Sequence, residues 1–165
     1  MTETKRAHDA RAPHVPLTNY YPDEPSRAGF VKEMFDTTAV DYDRMEKVLS
    51  FGTGKWYRGQ ALQRAGLKPG MRVLDVGVGT GLVASEAARI VGQPELVCGV
   101  DPSSSMMETA KVPAGVQLVN GTAESIPFPD AHFDFLSMGY ALRNIGDLRQ
   151  EFREFHRVLK TGGKI

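Results

Sequence analysis

The chain has almost no cysteine: Cys98 is the only one in 165 residues. A single thiol excludes an internal disulfide and a cysteine-rich metal cluster. It lies in an apolar run, which favours an inert buried thiol over a nucleophile. No apolar stretch approaches the roughly 20 residues that a helix needs to cross a bilayer, and residues 1–11 lack the apolar centre of a secretory signal. We therefore expect a cytoplasmic protein.

The chain also lacks an excess of charge of either sign. Lys and Arg total 20, Asp and Glu total 20, and the formal net charge is zero. No strong overall field attracts polyanions, so nucleic acid is not an expected partner. The length is sufficient for one domain with a substantial core.

Three regions are predicted along the chain. Residues 1–26 contain four prolines and many polar residues, which predicts a disordered or loosely ordered tail. Residues 27–66 carry apolar side chains at helical spacing and predict an N-terminal helical cap that ends at Gly66. Residues 67–165 predict an α/β domain.

Strands and helices alternate within that domain. Apolar runs predict strands at Arg72–Val76, Leu96–Val100, Val116–Asn120 and Phe133–Met138. Helices are predicted at Gly81–Val91, Ser103–Lys111 and Leu148–Leu159. The alternation predicts a doubly wound, mainly parallel, Rossmann-like sheet. Its ligand crevice lies outside the carboxyl ends of the strands.

The last residues predict a turn at Thr161–Gly163 and the start of a fifth strand at Lys164–Ile165. Without a complete fifth strand, the fourth would keep an unpaired apolar edge. We therefore expect a fragment of a longer protein, with an α/β domain that is incomplete and truncated at its fifth strand. Natural closure of the domain at this point is the alternative.

A glycine-rich turn follows the first predicted strand. Gly77, Gly79 and Gly81 permit positive φ and close approach of the backbone to a ligand. The helix that begins there offers free N–H groups and a positive dipole end. Leu82 replaces the last glycine or alanine of the dinucleotide fingerprint, which disfavours NAD(P). Asp101 ends the second strand, where a carboxylate can accept hydrogen bonds from a ribose; a charge or a cap at a helix N-terminus is the alternative.

Several motifs resemble those of class I S-adenosylmethionine-dependent methyltransferases. They are VLDVGVGTG at residues 73–81, Asp101, and the IPFPD loop at residues 126–130. The block FD-x-x-A-x-x-YD-x-M at residues 35–45 and the tripeptide LRN at residues 142–144 more specifically resemble the ubiquinone/menaquinone biosynthesis C-methyltransferase family. The resemblance implies a Rossmann-like methyltransferase fold and S-adenosyl-L-methionine as cofactor. It also implies C-methylation of a quinol-like or other small lipid-like acceptor.

The resemblance assigns roles to individual positions. The cofactor would contact Asp75, Gly77, Gly79, Thr80, Gly81, Asp101, Thr122, Ala123 and Ser137. The glycine loop would hold the methionine part, Asp101 the ribose, and Thr122 and Ala123 the adenine. Asp75 would orient the loop or meet the cofactor's ammonium group through water.

The residues Arg143 and Asn144 would lie near the acceptor as catalytic groups that stabilise a developing phenolate. A salt bridge to Asp147 or a surface charge is the alternative for Arg143.

Features on the acceptor side are less specific. Three aromatic residues could cover a prenyl tail, namely Tyr42, Phe51 and Trp56. Core packing is the alternative for each of them. A phospholipid or natural-product methyltransferase is an alternative function, and a truncated, inactive cofactor-binding module is an alternative of another class. The expected partner is a small-molecule or lipid-like acceptor. Peripheral membrane contact and an oligomer that covers the strand edge remain open.

Overall fold

The computed structural model describes residues 19–23, 26–27, 29–31, 33–34, 37, 53–139, 141–142 and 145–165. Residues 26–37 are helical wherever they are described. Most of the tail predicted over residues 1–26, and the part of the cap over residues 38–52, lie outside the described residues. The division of the chain into three regions stays a prediction.

A five-stranded sheet organises the described part of the chain. Its strands are β1 (Val73–Val76), β2 (Val97–Asp101), β3 (Gln117–Asn120), β4 (Phe133–Met138) and β5 (Leu159–Lys164). Their order is β3-β2-β1-β4-β5, and every neighbouring pair is parallel. The predicted doubly wound, parallel α/β architecture is confirmed.

Of the helices whose bounds are described, one precedes β1 in the chain and three connect consecutive strands. They are α1 (Gly54–Ala65), α2 (Leu82–Val91), the short α3 (Ser104–Glu108) and α4 (Leu148–Val158), with a 3₁₀ turn at Pro94–Leu96. Gly66 ends α1 with a φ of 99°, a left-handed conformation that glycine adopts without strain. Ser103 begins α3, and its Oγ accepts a hydrogen bond from the Met106 N–H. None of the described helices combines the length and the hydrophobicity that crossing a bilayer requires.

Apolar side chains divide between the two faces of the sheet. Leu74 and Val76 of β1 belong to a core that includes Phe155 of α4. Val73 points to the opposite face and belongs to a second core, built with side chains of α1 and α2. Successive residues of a strand face opposite ways, so β1 is covered on both sides and all four of its residues are buried. The central strand is therefore a fixed support for the loop that follows it.

The end of the chain differs from the sequence prediction. The turn predicted at Thr161–Gly163 is wrong, because these residues lie within β5, which pairs with β4. The register shifts along this pair, and Gly162 has a φ of 80°. The strand is therefore irregular at the point where the sequence resembles a turn. Strand β4 has β1 and β5 as neighbours, so the unpaired edge expected for it is not observed.

Helix α4 carries a buried carboxyl group into the core. Glu151 is 0% exposed, and neither of its carboxyl oxygens accepts a hydrogen bond from a described residue. Burial, with a smaller contribution from the Glu124 carboxylate, raises the pKa of Glu151 from 4.5 to about 7. Ionised Glu151 is therefore unfavourable in the folded protein.

We predict that Glu151→Gln stabilises the protein at alkaline pH. Because the folded pKa exceeds the unfolded value of 4.5, the wild type loses stability as the pH rises from 4.5 to about 7. The variant has no carboxyl group to ionise at this position. Its free energy of unfolding should therefore exceed that of the wild type by about 3 kcal/mol at pH 8, and by little at pH 4. Urea unfolding at both pH values measures the difference. The exposed Glu108→Gln variant is the control, and an equal effect of Glu151→Gln at both pH values would contradict the interpretation.

Candidate functional site

The crevice lies where the chain changes direction across the sheet. From β1 the chain passes outward through β2 to β3, then crosses to β4 on the other side of β1. Parallel sheets bind ligands at such a switch point, beyond the carboxyl ends of the strands. Asp75 of β1 and Ser137 of β4 are register partners there, and the Ser137 hydroxyl donates to Asp75 Oδ1 at 2.8 Å.

The glycine loop is bound to the neighbouring strand. Gly77, Gly79 and Gly81 all have positive φ, at 69°, 52° and 84°. The N–H groups of Gly77 and Val78 donate to the Val100 carbonyl of β2 at 2.8 and 3.1 Å. The loop therefore turns back over the end of β2 in a conformation that favours glycine.

The carboxylate of Asp101 also binds this loop. It is 8% exposed and accepts hydrogen bonds from the Gly79 N–H at Oδ2 and the Ser103 N–H at Oδ1, both at 2.8 Å. The N-cap of α3 is Ser103, so Asp101 is not that helix's cap. Its bond from the Ser103 N–H fits the other alternative, a charge at the helix N-terminus. Asp101 also joins the glycine loop to the end of β2.

Three parts of the chain lie against the glycine loop. A Cβ placed on Gly77 would lie 2.6 Å from the Ala141 Cβ, so the segment after β4 lies directly against the loop. Thr80 is buried, and its carbonyl accepts a hydrogen bond from the Lys111 N–H at 3.1 Å. Met106 of α3 is also buried and lies over Gly79. The loop is thus enclosed by α3, by the segment that follows α3 and by the segment that follows β4.

The residues after β3 reach the same edge of the sheet. Gly121 donates its N–H to the Asp101 carbonyl at 3.1 Å. Thr122 is exposed, whereas Ala123 is buried. The Ala123 N–H has no hydrogen-bond acceptor among the described residues. It is therefore a donor at the edge of the crevice.

Asn120 contributes to this site but was missed from the sequence. Its Nδ2 donates to the carbonyls of Asp101 and Pro102 at 3.2 and 3.1 Å. This amide therefore fixes the backbone that carries the Asp101 carboxylate. Its position at the carboxyl end of a predicted parallel strand was the available signal.

Several predicted residues have no described position. Arg143, Asn144, Tyr42 and Phe51 lie outside the described residues. Trp56 lies in α1 and is 67% exposed, so core packing is the wrong alternative for it. Among the described residues, no three His, Cys, Asp or Glu side chains cluster as metal ligands.

The floor of the crevice carries two carboxyl groups. Asp75 is 1% exposed, and its burial raises its pKa from 3.8 to about 7. The Ser137 hydroxyl and the Ala84 N–H lower this pKa, while the Asp101 charge raises it further. Near neutral pH Asp75 can therefore gain or lose a proton, and a nearby cation would favour the ionised form.

Comparison with known proteins relates this geometry to one family. A model of the ubiE/COQ5 methyltransferase family matches residues 23–165. The ubiquinone/menaquinone biosynthesis C-methyltransferase UbiE of Shewanella sp. (strain ANA-3) is 34% identical over 146 residues, covering 84% of this chain and 58% of that relative. The chain thus spans less than two thirds of the length of this relative.

Solved structures share the fold. A SAM-dependent methyltransferase from Thermotoga maritima is 31% identical, with a TM-score of 0.62, and the match covers 78% of this chain and 56% of the other. The [4+2]-cyclase SpnF is 25% identical, with a TM-score of 0.65, and the match covers 82% of this chain and 57% of the other. The same fold therefore occurs in proteins named for different reactions.

We predict that Asp75 titrates near pH 7 in the free protein. Its ¹³C-labelled carboxyl carbon should show an NMR titration midpoint at about 7. Ser137→Ala should move this midpoint higher, because the hydroxyl stabilises the ionised form. Ser125→Ala, at an exposed position after β3, is the control and should leave it unchanged. A wild-type midpoint close to 3.8 would show that Asp75 is better solvated than its burial indicates.

Proposed function

Because the chain belongs to the ubiE/COQ5 methyltransferase family, we propose that it binds S-adenosylmethionine and methylates a ring carbon of a quinol-like acceptor. The observation that carries the proposal is the buried Asp101 carboxylate, held by the N–H groups of Gly79 and Ser103. This carboxylate is a fixed hydrogen-bond acceptor beside the glycine loop that precedes α2. The acceptor suits the ribose of a nucleoside, and the loop suits a polar tail.

The nucleoside part of the cofactor fits the β2–β3 side of the crevice. A carboxylate offers about four acceptor sites, so the two backbone bonds of Asp101 are compatible with further bonds from ribose hydroxyls. The N–H of Ala123 would donate to a ring nitrogen of adenine in this proposal. Its lack of an acceptor among the described residues supports the assignment. Thr122 flanks the base.

The methionine part fits the β1–β4 side. Gly77, Gly79, Thr80 and Gly81 would hold it at the start of α2. When bound, S-adenosylmethionine supplies a methyl group on a positively charged sulfonium sulfur. The Asp101 charge at the crevice floor favours a cationic ligand, and such a ligand would favour the ionised form of Asp75. Ser137 would line the floor beneath the methyl group.

Catalysis is assigned to Arg143 and Asn144. A quinol ring carbon becomes nucleophilic as the neighbouring hydroxyl loses its proton. The guanidinium of Arg143 and the amide of Asn144 would stabilise negative charge on that oxygen. Arginine is a poor base because its pKa exceeds about 12, so a water molecule held by Arg143 would pass the hydroxyl proton on to solvent. The hydrogen on the methylated ring carbon would leave as a proton to solvent, which restores the aromatic ring. The protein otherwise aligns the two reactants and excludes water.

Two alternatives are kept for specific reasons. A phospholipid or another natural product could accept the methyl group, because the cofactor half of the site would be the same. A module that binds the cofactor without transfer is the alternative of another class. The likeness to a [4+2]-cyclase, a protein named for a different reaction, is the reason for keeping it.

We predict that Asp101→Asn weakens binding of S-adenosylhomocysteine, the demethylated cofactor, at least about tenfold. An amide can replace only one of the two acceptor oxygens, and it turns a donor towards a backbone N–H. Titration calorimetry with the nucleoside, and with NADH for comparison, measures this change. Glu95→Gln, next to the opposite end of β2, is the matched control. Tight NADH binding without binding of S-adenosylhomocysteine would overturn the proposal.

We predict that Arg143→Gln abolishes most methyl transfer but leaves cofactor affinity within about twofold, because its charge acts on the acceptor oxygen. Radiolabelled methyl donor incubated with a demethylated quinol and, separately, with phosphatidylethanolamine measures transfer. Arg64→Gln, at the exposed end of α1, is the control. Label on the quinol ring supports the proposal. Label only on the lipid amine supports the phospholipid alternative, and cofactor binding without any label supports the binding module.

A further inference from the structure

The segment between β3 and β4 has little regular structure of its own. It spans residues 121–132, and its isolated bridge joins Thr122 to Ser125. The Ala123 N–H, which the proposed function assigns to adenine, lies within it. Because backbone polar groups of an irregular segment still require partners, other residues must fix the position of this donor.

A polar stripe of α4 provides those partners. Gln150, Glu154 and Arg157 recur at intervals of four and three residues, so they share one face of the helix. Gln150 Nε2 donates to the Glu124 carbonyl at 3.2 Å. The Ile126 N–H donates to Glu154 Oε2 at 2.8 Å. The helix thus binds the segment directly after Ala123.

Arg157 makes the largest number of these contacts. Its Nη2 donates to the Ile126 carbonyl and its Nη1 to the Phe128 carbonyl, both at 2.8 Å. Nη1 also donates to Asp130 Oδ1 at 2.8 Å. Nε and Nη2 hold Glu154 at 2.8 and 2.7 Å. One planar guanidinium therefore satisfies two carbonyls and two carboxylates, a geometry that lysine cannot reproduce.

The Arg157–Glu154 pair is stable as a charged unit. The guanidinium holds the pKa of the Glu154 carboxyl below its usual range, with the Ile126 N–H contributing in the same direction. Glu154 has 14% of its side chain exposed and Arg157 has 30%, so the pair is partly shielded from water. Both partners keep their charges over the neutral pH range.

We propose that Arg157, acting through Glu154 and the residues that it binds, is a positioning residue for adenine selection at Ala123. The inference rests on the proposed function. A backbone N–H complements the unprotonated ring nitrogen of adenine, but opposes the protonated N1 of hypoxanthine. Discrimination between these bases requires the N–H to keep its place, and Ile126, three residues after Ala123, is held by Arg157 and Glu154.

The test compares affinities for S-adenosylhomocysteine and its hypoxanthine analogue S-inosylhomocysteine by titration calorimetry. The wild type should prefer the adenine compound by about tenfold or more, since one compound pairs with the donor and the other leaves it unpaired. Arg157→Lys and Glu154→Gln should reduce this preference several-fold, chiefly by weakening the adenine compound. Arg153→Gln, exposed on the same helix, is the matched control and should keep the wild-type ratio.

The preference ratio separates positioning from simple destabilisation. A variant that only unfolds more easily would lose both affinities equally, and an unchanged ratio in folded Arg157→Lys would overturn the inference. If Arg157→Lys and Glu154→Gln do not fold, Gln150→Ala takes their place. It removes only the bond to the Glu124 carbonyl and should reduce the preference by a smaller factor. A wild type that binds neither compound would overturn the proposed function and this inference with it. A wild type that binds both equally would overturn the inference alone.

Discussion

The Asp101 carboxylate connects parts of the site that are distant in sequence. A carboxylate at this depth needs donors to compensate for lost hydration, and the N–H groups of Gly79 and Ser103 supply them. One donor follows β1 and the other precedes α3, so the two bonds fix the glycine loop relative to the helix. Asn120 adds β3 to the same unit through the Asp101 carbonyl. Hydrogen bonds to Asp101 therefore connect the glycine loop, the start of α3 and β3.

The charge of the crevice bears on which nucleotide fits it. The whole chain is formally neutral, yet Asp75 and Asp101 are close enough for one charge to raise the other's pKa. A dinucleotide would bring a negatively charged diphosphate near these groups, whereas S-adenosylmethionine brings a sulfonium and an ammonium. Coulomb energies at low effective dielectric are large enough for this difference to matter. Leu82 and the local charge therefore support the proposed cofactor for independent reasons.

The sequence predicted those features that depend only on neighbouring residues. Buried strands appeared as apolar runs, and Ser103 was recognisable as a helix cap because capping involves only neighbouring residues. The fifth strand was predicted to begin at Lys164 instead of Leu159, because Thr161–Gly163 resembles a turn, and the register with β4 shifts between the paired residues Leu159 and Lys164. The contacts of Arg157 were not predicted, because nothing in the sequence of a helix shows that its guanidinium reaches the carbonyls of the IPFPD loop. The family motifs gave the candidate cofactor positions, while Arg143 and Asn144 stay predictions.

The contact between Gly77 and Ala141 limits how this family member can change during evolution. A side chain at position 77 would occupy the space that the Ala141 methyl group already fills. The first position belongs to the cofactor side and the second to the segment leading towards the proposed acceptor residues. A larger residue at 141 would consequently push on the cofactor loop, even if it improved contact with a new acceptor. Adaptation to another acceptor at this point would then require compensating changes on both sides, so the two sites cannot drift independently.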